Sequence, residues 1–349
     1  MAVAPAPAGT APGGPAERRA PAQVALSLGK RFLTLREGSI IVITIATFIF
    51  FAATTANFNT GSNFKTLLPY FAPFAIMAAG QVFVMINGEI DLSIGAAYLF
   101  IPFWFHQLHH YGVPIAPALI LALLTACLIG AVNGLFVAVV GISSFVATLG
   151  MLFVLDGITL VMSHATPVSI PATSPTAVHT FAQIFGAGTY SELIWALVIV
   201  GVLQLILTFT RWGVYTVAVG GNRLGAAEAG VLTRFVIVRN FVLCALCAGF
   251  VGVLEAVRTT TATPDPSASN DILFQAISAA VIGGTLLRGG SGTVVGALIG
   301  ALFLGILHDG LIIKGVNANY LDLYLGLAIL IAMTANTFVA RVRTGAGRG

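Results

Sequence analysis

Apolar runs of about twenty residues recur along almost the whole chain, and no other property of the sequence narrows its possible folds so far. They fall at 39–57, 66–87, 92–110, 113–140, 142–163, 191–210, 236–257, 271–287, 292–312 and 319–339. A helix rises 1.5 Å per residue, so about twenty residues cross the roughly 30 Å hydrocarbon core of a bilayer. Lipid offers a backbone amide no partner, which leaves helices or closed barrels as the spanning forms. Runs of this length therefore predict an all-α polytopic membrane protein with about ten transmembrane helices. Only 8% of the residues are charged, against about 25% in soluble domains. The formal charge of +4 is too small to imply a nucleic-acid partner.

The basic residues report orientation. With the N-terminus inside, Arg211, Arg223, Arg234, Arg239, Arg288, Arg341, Arg343 and Arg348 fall on the same side as the basic N-terminal segment, and only Lys65, Arg258 and Lys314 fall outside. Cytoplasmic loops carry the excess of Lys and Arg, so both termini are expected in the cytoplasm. The chain then divides into a disordered cytoplasmic tail at 1–38, a transmembrane domain at 39–340 and a short cytoplasmic tail at 341–349. The segments 164–190 and 259–270 are rich in Pro, Ser and Thr, and read as external loops able to receive a soluble partner. The segment 211–235 is different, being neither an apolar run nor a Pro/Ser-rich loop. It holds a Gly220-Gly221-Asn222 turn signal and a small-residue patch, Leu224 to Gly230, suited to a short exposed helix.

Three stretches carry polar groups or glycines inside apolar surroundings. In Gly80 to Phe100, Glu89 and Asp91 stand at a span boundary, where a charge at the bilayer centre costs about 2.5–3.5 kcal/mol. Asn87-Gly88 suits a turn, and Asp91 or Ser93 suits the cap of the next helix. The other reading makes Asn87, Glu89, Asp91 and Ser93 part of a polar pathway. In Gly130 to Leu152, Gly130 and Gly134 form a small-x3-small pair for close helix approach, while Asn133 and Thr148 must find polar partners across helices or along a pathway. In Ala276 to Leu307, Gly292, Gly296 and Gly300 recur every fourth residue along one face, a packing ridge. Gly283-Gly284 and Gly289-Gly290 break the preceding helix, as transporters do where backbone groups face a central cavity. A re-entrant turn without a ligand is the competing reading.

The remaining signals have ordinary explanations beside their functional ones. Cys244 and Cys247 form a C-x-x-C inside an apolar run, read as small core residues one turn apart. His106 and His110 share a helical face at the outer end of the third run, where an interfacial polar belt accounts for them and no metal site is expected. Asp156 and His308-Asp309 suit a cap or an interhelical hydrogen bond, or else a proton relay. No Walker A pattern is present, so active transport would need energy from another subunit or from an ion gradient.

Four motifs in fixed order give the chain a resemblance: Gly88-Glu89-Ile90-Asp91-Leu92-Ser93-Ile94-Gly95, the Asn133 to Gly150 stretch, Val219 to Val231, and Ala276 to Leu302. Together they resemble the permease subunits of ribose-type ATP-binding-cassette importers, over nearly everything from Ser39 to Phe338. The resemblance implies about ten helices and a homodimer in the cytoplasmic membrane of a prokaryote, with no ATPase site or cofactor in this chain. ATP and Mg would be bound by a partner ATPase, commonly a tandem of two nucleotide-binding modules, and a soluble binding protein would deliver a sugar or polyol for alternating access. It also implies that Gly220, Gly221, Asn222, Ala226, Ala227, Glu228 and Gly230 form a coupling helix seated in the ATPase. The pathway would be bordered by Asn87, Glu89, Asp91, Ser93, Asn133, Thr148, Gly283 and Gly284. Three departures stand out: Glu89 where the family commonly has glycine, Ser143-Ser144 for a frequent Pro-Pro, and Arg288 in its turn. The alternative class is a proton-coupled secondary carrier for a small polar solute.

Overall fold

In the computed structural model, residues 37–171 and 176–345 are described, with side chains to residue 334. Residues 1–36 of the tail expected at 1–38, residues 346–349 of the C-terminal tail and residues 172–175 of the 164–190 loop lie outside those residues. Ten helices of 17 residues or more run through the described chain. They are α1 Gly38–Thr54, α2 Gly61–Ile86, α3 Ser93–His110, α4 Ile115–Leu135, α5 Ser144–Ser163, α7 Ser191–Phe209, α10 Thr233–Thr259, α11 Pro266–Ile282, α12 Val294–Ile313 and α13 Leu321–Gly345. Between them lie three short helices: α6 Thr176–Ala182, α8 Arg211–Gly221 and α9 Arg223–Glu228. Six helices, α2, α4, α5, α7, α10 and α12, are long and apolar enough to cross a membrane, while α1 and part of α13 form shorter apolar helices.

Burial sorts these helices into an inner and an outer set. In α2, 83% of the apolar window is buried inside the protein, in α10 67% and in α12 61%, whereas α5 and α7 bury only 28% each. Helix α2 is thus the hub, packed against α10 and α12, and α10 also packs on α3 and α4. The outward faces of α5 and α7 carry Phe153, Val161, Ile194 and Leu205, all exposed, as lipid-facing surfaces require. Close approach rests on small residues. A side chain at Gly130 or Gly134 would run into the α10 backbone at Phe241 or Val238. On α12, Gly296 lies against Gly283 and Gly300 against Ala279, while Gly292, expected on the same helical face, falls two residues before the helix starts and packs on Ile86 and Thr285.

Several boundaries differ from the apolar runs for reasons of capping. Helix α11 starts at Pro266, five residues before its apolar run, because Asp265 accepts hydrogen bonds from Ser267 N (2.9 Å) and Ala268 N (3.3 Å) and Pro266 occupies the first helical turn. The Pro/Ser-rich look of 259–270 concealed that start signal. The same loop also pairs with the other expected external loop: β1 Val168–Ser169 runs antiparallel to β2 Thr261–Ala262. Segment 211–235 is mostly helical, with α8 turning back under the bundle to bury Gly213, Thr216 and Val219.

Candidate functional site

Helix α2 ends at Ile86 and α3 begins at Ser93, so six residues of non-helical chain lie inside the packed bundle. Amides there need acceptors, and find them in the carbonyls that end α2, in Asp91 and in two hydroxyls of α5. Asp91 Oδ1 accepts from Ser93 N (2.9 Å) and Ser93 Oγ (2.7 Å), capping α3 from within. Asn133 Nδ2 donates to Ser93 Oγ at 2.7 Å. Leu92 N donates to Thr148 Oγ1 (3.0 Å) and Ile90 N to Ser144 Oγ (3.2 Å). Ser144, standing where related chains are expected to have proline, is therefore an acceptor for the break. Asp91, Ser93, Asn133 and Thr148 are each wholly buried. Asp91 thus takes the capping role expected of it, within one packed cluster.

A second cluster ties the break to α8 and α10. Asn87, at the end of α2, donates to Thr216 O (2.9 Å), and its Oδ1 accepts from Asn240 Nδ2 (2.6 Å). Asn240 Oδ1 in turn accepts from Trp212 Nε1 at 2.7 Å, and Arg239 lies over the Trp212 ring at 4.9 Å. Trp212, Thr216 and Asn240 were not singled out by sequence reasoning. An asparagine and a tryptophan that meet from two helices 28 residues apart leave no one-dimensional signature, although Asn240 is a polar residue early in an apolar run.

Three chain breaks converge below this cluster. Gly290 N donates to Ile86 O at 2.7 Å, so the turn between α11 and α12 is stitched to the end of α2. Gly289 has a φ of +83°, and a Cβ there would lie 2.8 Å from Gly88 N. Gly220, at the end of α8, is wedged between Ile86 O and Gly290 N with no room for a side chain. Arg223, the first residue of α9, reaches back to Glu89 Oε1 at 2.6 Å and to Asn87 O at 3.4 Å. Glu89, the residue that departs from the resembled motif, thus has its partner in the segment expected to couple. Gln204 of α7 completes the junction by accepting from Val294 N (2.9 Å) and Val295 N (3.0 Å), which caps α12. Sequence reasoning missed Gln204 as well.

Helix α9 projects from the junction. Asn222 caps it by accepting from Gly225 N (2.9 Å), Ala226 faces inward, Gly230 at φ +83° ends the turn after it, and Ala227, Glu228 and Gly221 are exposed. Leu224 is 72% exposed, and Leu232, Phe235, Leu286 and Leu287 extend the apolar surface. Gly283 packs on Gly296 of α12, next to Gly284 at φ +95°. Elsewhere, Asp309 accepts from Asn63 Nδ2 (2.8 Å), His308 stacks on Tyr70, and His106 stacks on His110 at 6.0 Å. Cys244 and Cys247 are free and buried against α2, with Cys244 Sγ 3.1 Å from Gln81 Oε1. No cluster of three or more metal-ligating side chains occurs among the described residues.

Residues 63–334 match the family model described as branched-chain amino acid transport system / permease component. The chain is 33% identical over 330 residues to a xylose/arabinose import permease of Sulfolobus acidocaldarius, covering 90% of this chain and 88% of that protein. It is 32% identical to the ribose import permease of Escherichia coli K12 (87% and 96% covered) and 30% identical to that organism's D-allose transport permease (87% and 92% covered). No solved structure matches the chain significantly.

Proposed function

From the premise that the chain belongs to the branched-chain transport permease family, we propose that it is the membrane subunit of an ATP-driven importer for a sugar or polyol. The relatives named above are permeases for pentoses and a hexose, which supports that substrate class. Energy comes from a partner ATPase that holds ATP and Mg, and a soluble binding protein delivers the solute. The working unit is a homodimer in the cytoplasmic membrane of a prokaryote, coupled to a tandem ATPase. This chain hydrolyses nothing and binds no cofactor.

The observation that carries the mechanism is the wedge of Gly220 between Ile86 and Gly290, with Arg223 gripping Glu89. A displacement of α9 pulls on the α2–α3 break through the Arg223 side chain, and on the α11–α12 turn through Gly220, which ends α8 just before Asn222 and abuts both Ile86 and Gly290. Closure of the ATPase dimer moves α9, and rigid α8 passes that motion to the two breaks. Two packed arrangements of these elements suffice for alternating access. Asn87, Glu89, Asp91, Ser93, Asn133, Thr148, Gly283 and Gly284 then act as the pathway's moving border, their buried hydrogen bonds defining one of its two states. The exposed apolar surface around Leu224 suits a protein groove better than water.

The test is made on the exposed face of α9. Ala227→Trp and Glu228→Lys leave the buried face alone, and are expected to abolish co-purification of the ATPase and ATP-dependent uptake while the permease still folds. Retention of both activities would sink the coupling assignment. Uptake that needs no ATPase yet collapses with an uncoupler would move the chain to the proton-coupled class.

A further inference from the structure

At the end of the bundle opposite α9, a group of charged side chains surrounds open space. The middle of α3 and the C-terminal half of α10 meet the N-terminal ends of α2, α7 and α11 around three adjoining cavities of about 250, 280 and 240 Å³. Tyr98 and Glu255 line two of them, and Arg258 also lines two. Arg258 Nε donates to Glu255 Oε2 at 2.9 Å, and its second nitrogen also bonds Glu255. The same Nε stands 3.4 Å from Glu192 Oε2. One guanidinium therefore faces two carboxylates.

Glu192 is 2% exposed, borders the second cavity, and has no hydrogen bond on either carboxylate oxygen beyond its 3.4 Å ion pair with Arg258. Its place in the first turn of α7 and the Arg258 guanidinium together offset part of the charge. They explain why a buried carboxylate is tolerated here, yet a buried acceptor without a well-formed hydrogen bond is costly. The third cavity adds Asp271, Tyr70 and Gln275. Against Glu192, Glu255, Asp265 and Asp271 stand Arg258 and Lys65, so the space repels anions. What it offers is paired acceptors and donors beside two aromatic rings, the combination that vicinal hydroxyls and sugar C–H faces satisfy.

We propose that these cavities form an entrance subsite for a neutral polyhydroxylated solute, with Glu192, Glu255, Arg258 and Asp271 binding its hydroxyls and Tyr98 its apolar face. The assignment rests on the importer reading and deepens it. The first cavity is bordered by Thr261 and Ala262 of β2, so the subsite adjoins the strand pair that joins the two outer loops.

The experiment uses the full chain reconstituted in proteoliposomes with its ATPase and binding protein, and a panel of labelled neutral pentoses, hexoses and polyols. Wild type is expected to take up at least one of them. Glu255→Gln, Glu192→Gln and Asp271→Asn are expected to lower its uptake about tenfold each, the size of a lost charge-assisted hydrogen bond, while ATP hydrolysis stimulated by the loaded binding protein persists. No uptake of any neutral solute by wild type overturns the importer reading and the subsite with it. Wild-type uptake that is unchanged in all three variants overturns the subsite alone. So does a parallel fall of uptake and hydrolysis in an assembled complex, which would make these residues supports for docking or packing.

Discussion

Glu89 and Arg223 form a close pair, but Arg223 is about half exposed and Glu89 partly so. Pairs of that kind contribute about 0.2–1 kcal/mol, too little to hold the fold together. In the proposed mechanism the pair links α9 to the α2–α3 break in one state and releases it in the other at small cost. Reversing either charge, Glu89→Arg or Arg223→Glu, is expected to leave thermal stability nearly unchanged while severalfold more ATP is spent per solute moved. The double reversal should recover much of that coupling, and equal coupling in wild type and both single variants would remove the link. At this scale the sequence was partly legible. Asp91 and Asn133 stand out as polar residues in apolar surroundings, and a helix cap is one of the roles that Asp91 suits from sequence. Trp212, Thr216, Asn240 and Gln204 were not visible, because their roles arise only when helices distant in sequence come together.

The elements were far more readable, since apolar run length sets helix length directly and every long helix coincides with a run. What the runs could not give was the ends. Asp265-Pro266 begins α11 inside a stretch whose composition looks like a loop, and the pairing of β1 with β2 is a contact between segments more than 90 residues apart. The glycine ridge of α12 is where an element's shape decides its neighbours. Gly296 opposes Gly283 and Gly300 opposes Ala279 with no space for another carbon. Gly296→Val is expected to destabilise the protein by about 1–3 kcal/mol, as overpacking does, with a lower unfolding midpoint in detergent. Gly326, which has open space around it, should accept alanine with little effect, and equal tolerance at both positions would argue against tight packing of α11 on α12.

For the whole molecule, charge bias predicts α9 on one side of the membrane and β2 on the other. Leu224 is 72% exposed and Thr263 is also exposed, whereas native Cys244 and Cys247 are buried. In intact cells, a membrane-impermeant thiol reagent is expected to label Thr263→Cys and spare Leu224→Cys until the cells are opened. Labelling of Leu224→Cys from outside would invert the topology and the site assignments that depend on it. Helix α2, the hub of this arrangement, has the lowest mean hydropathy of the six long apolar helices, 1.6, and almost no surface left for lipid. It emerges early in synthesis, yet its main partners α10 and α12 are made much later. For most of translation, Gln81, Asn87 and the backbone at Pro69 and Pro73 must be sheltered by something other than their final neighbours. Biogenesis of this chain therefore demands a waiting place for its own centre, in the insertion machinery or among provisional helix contacts, before the last third of the polypeptide arrives to enclose it.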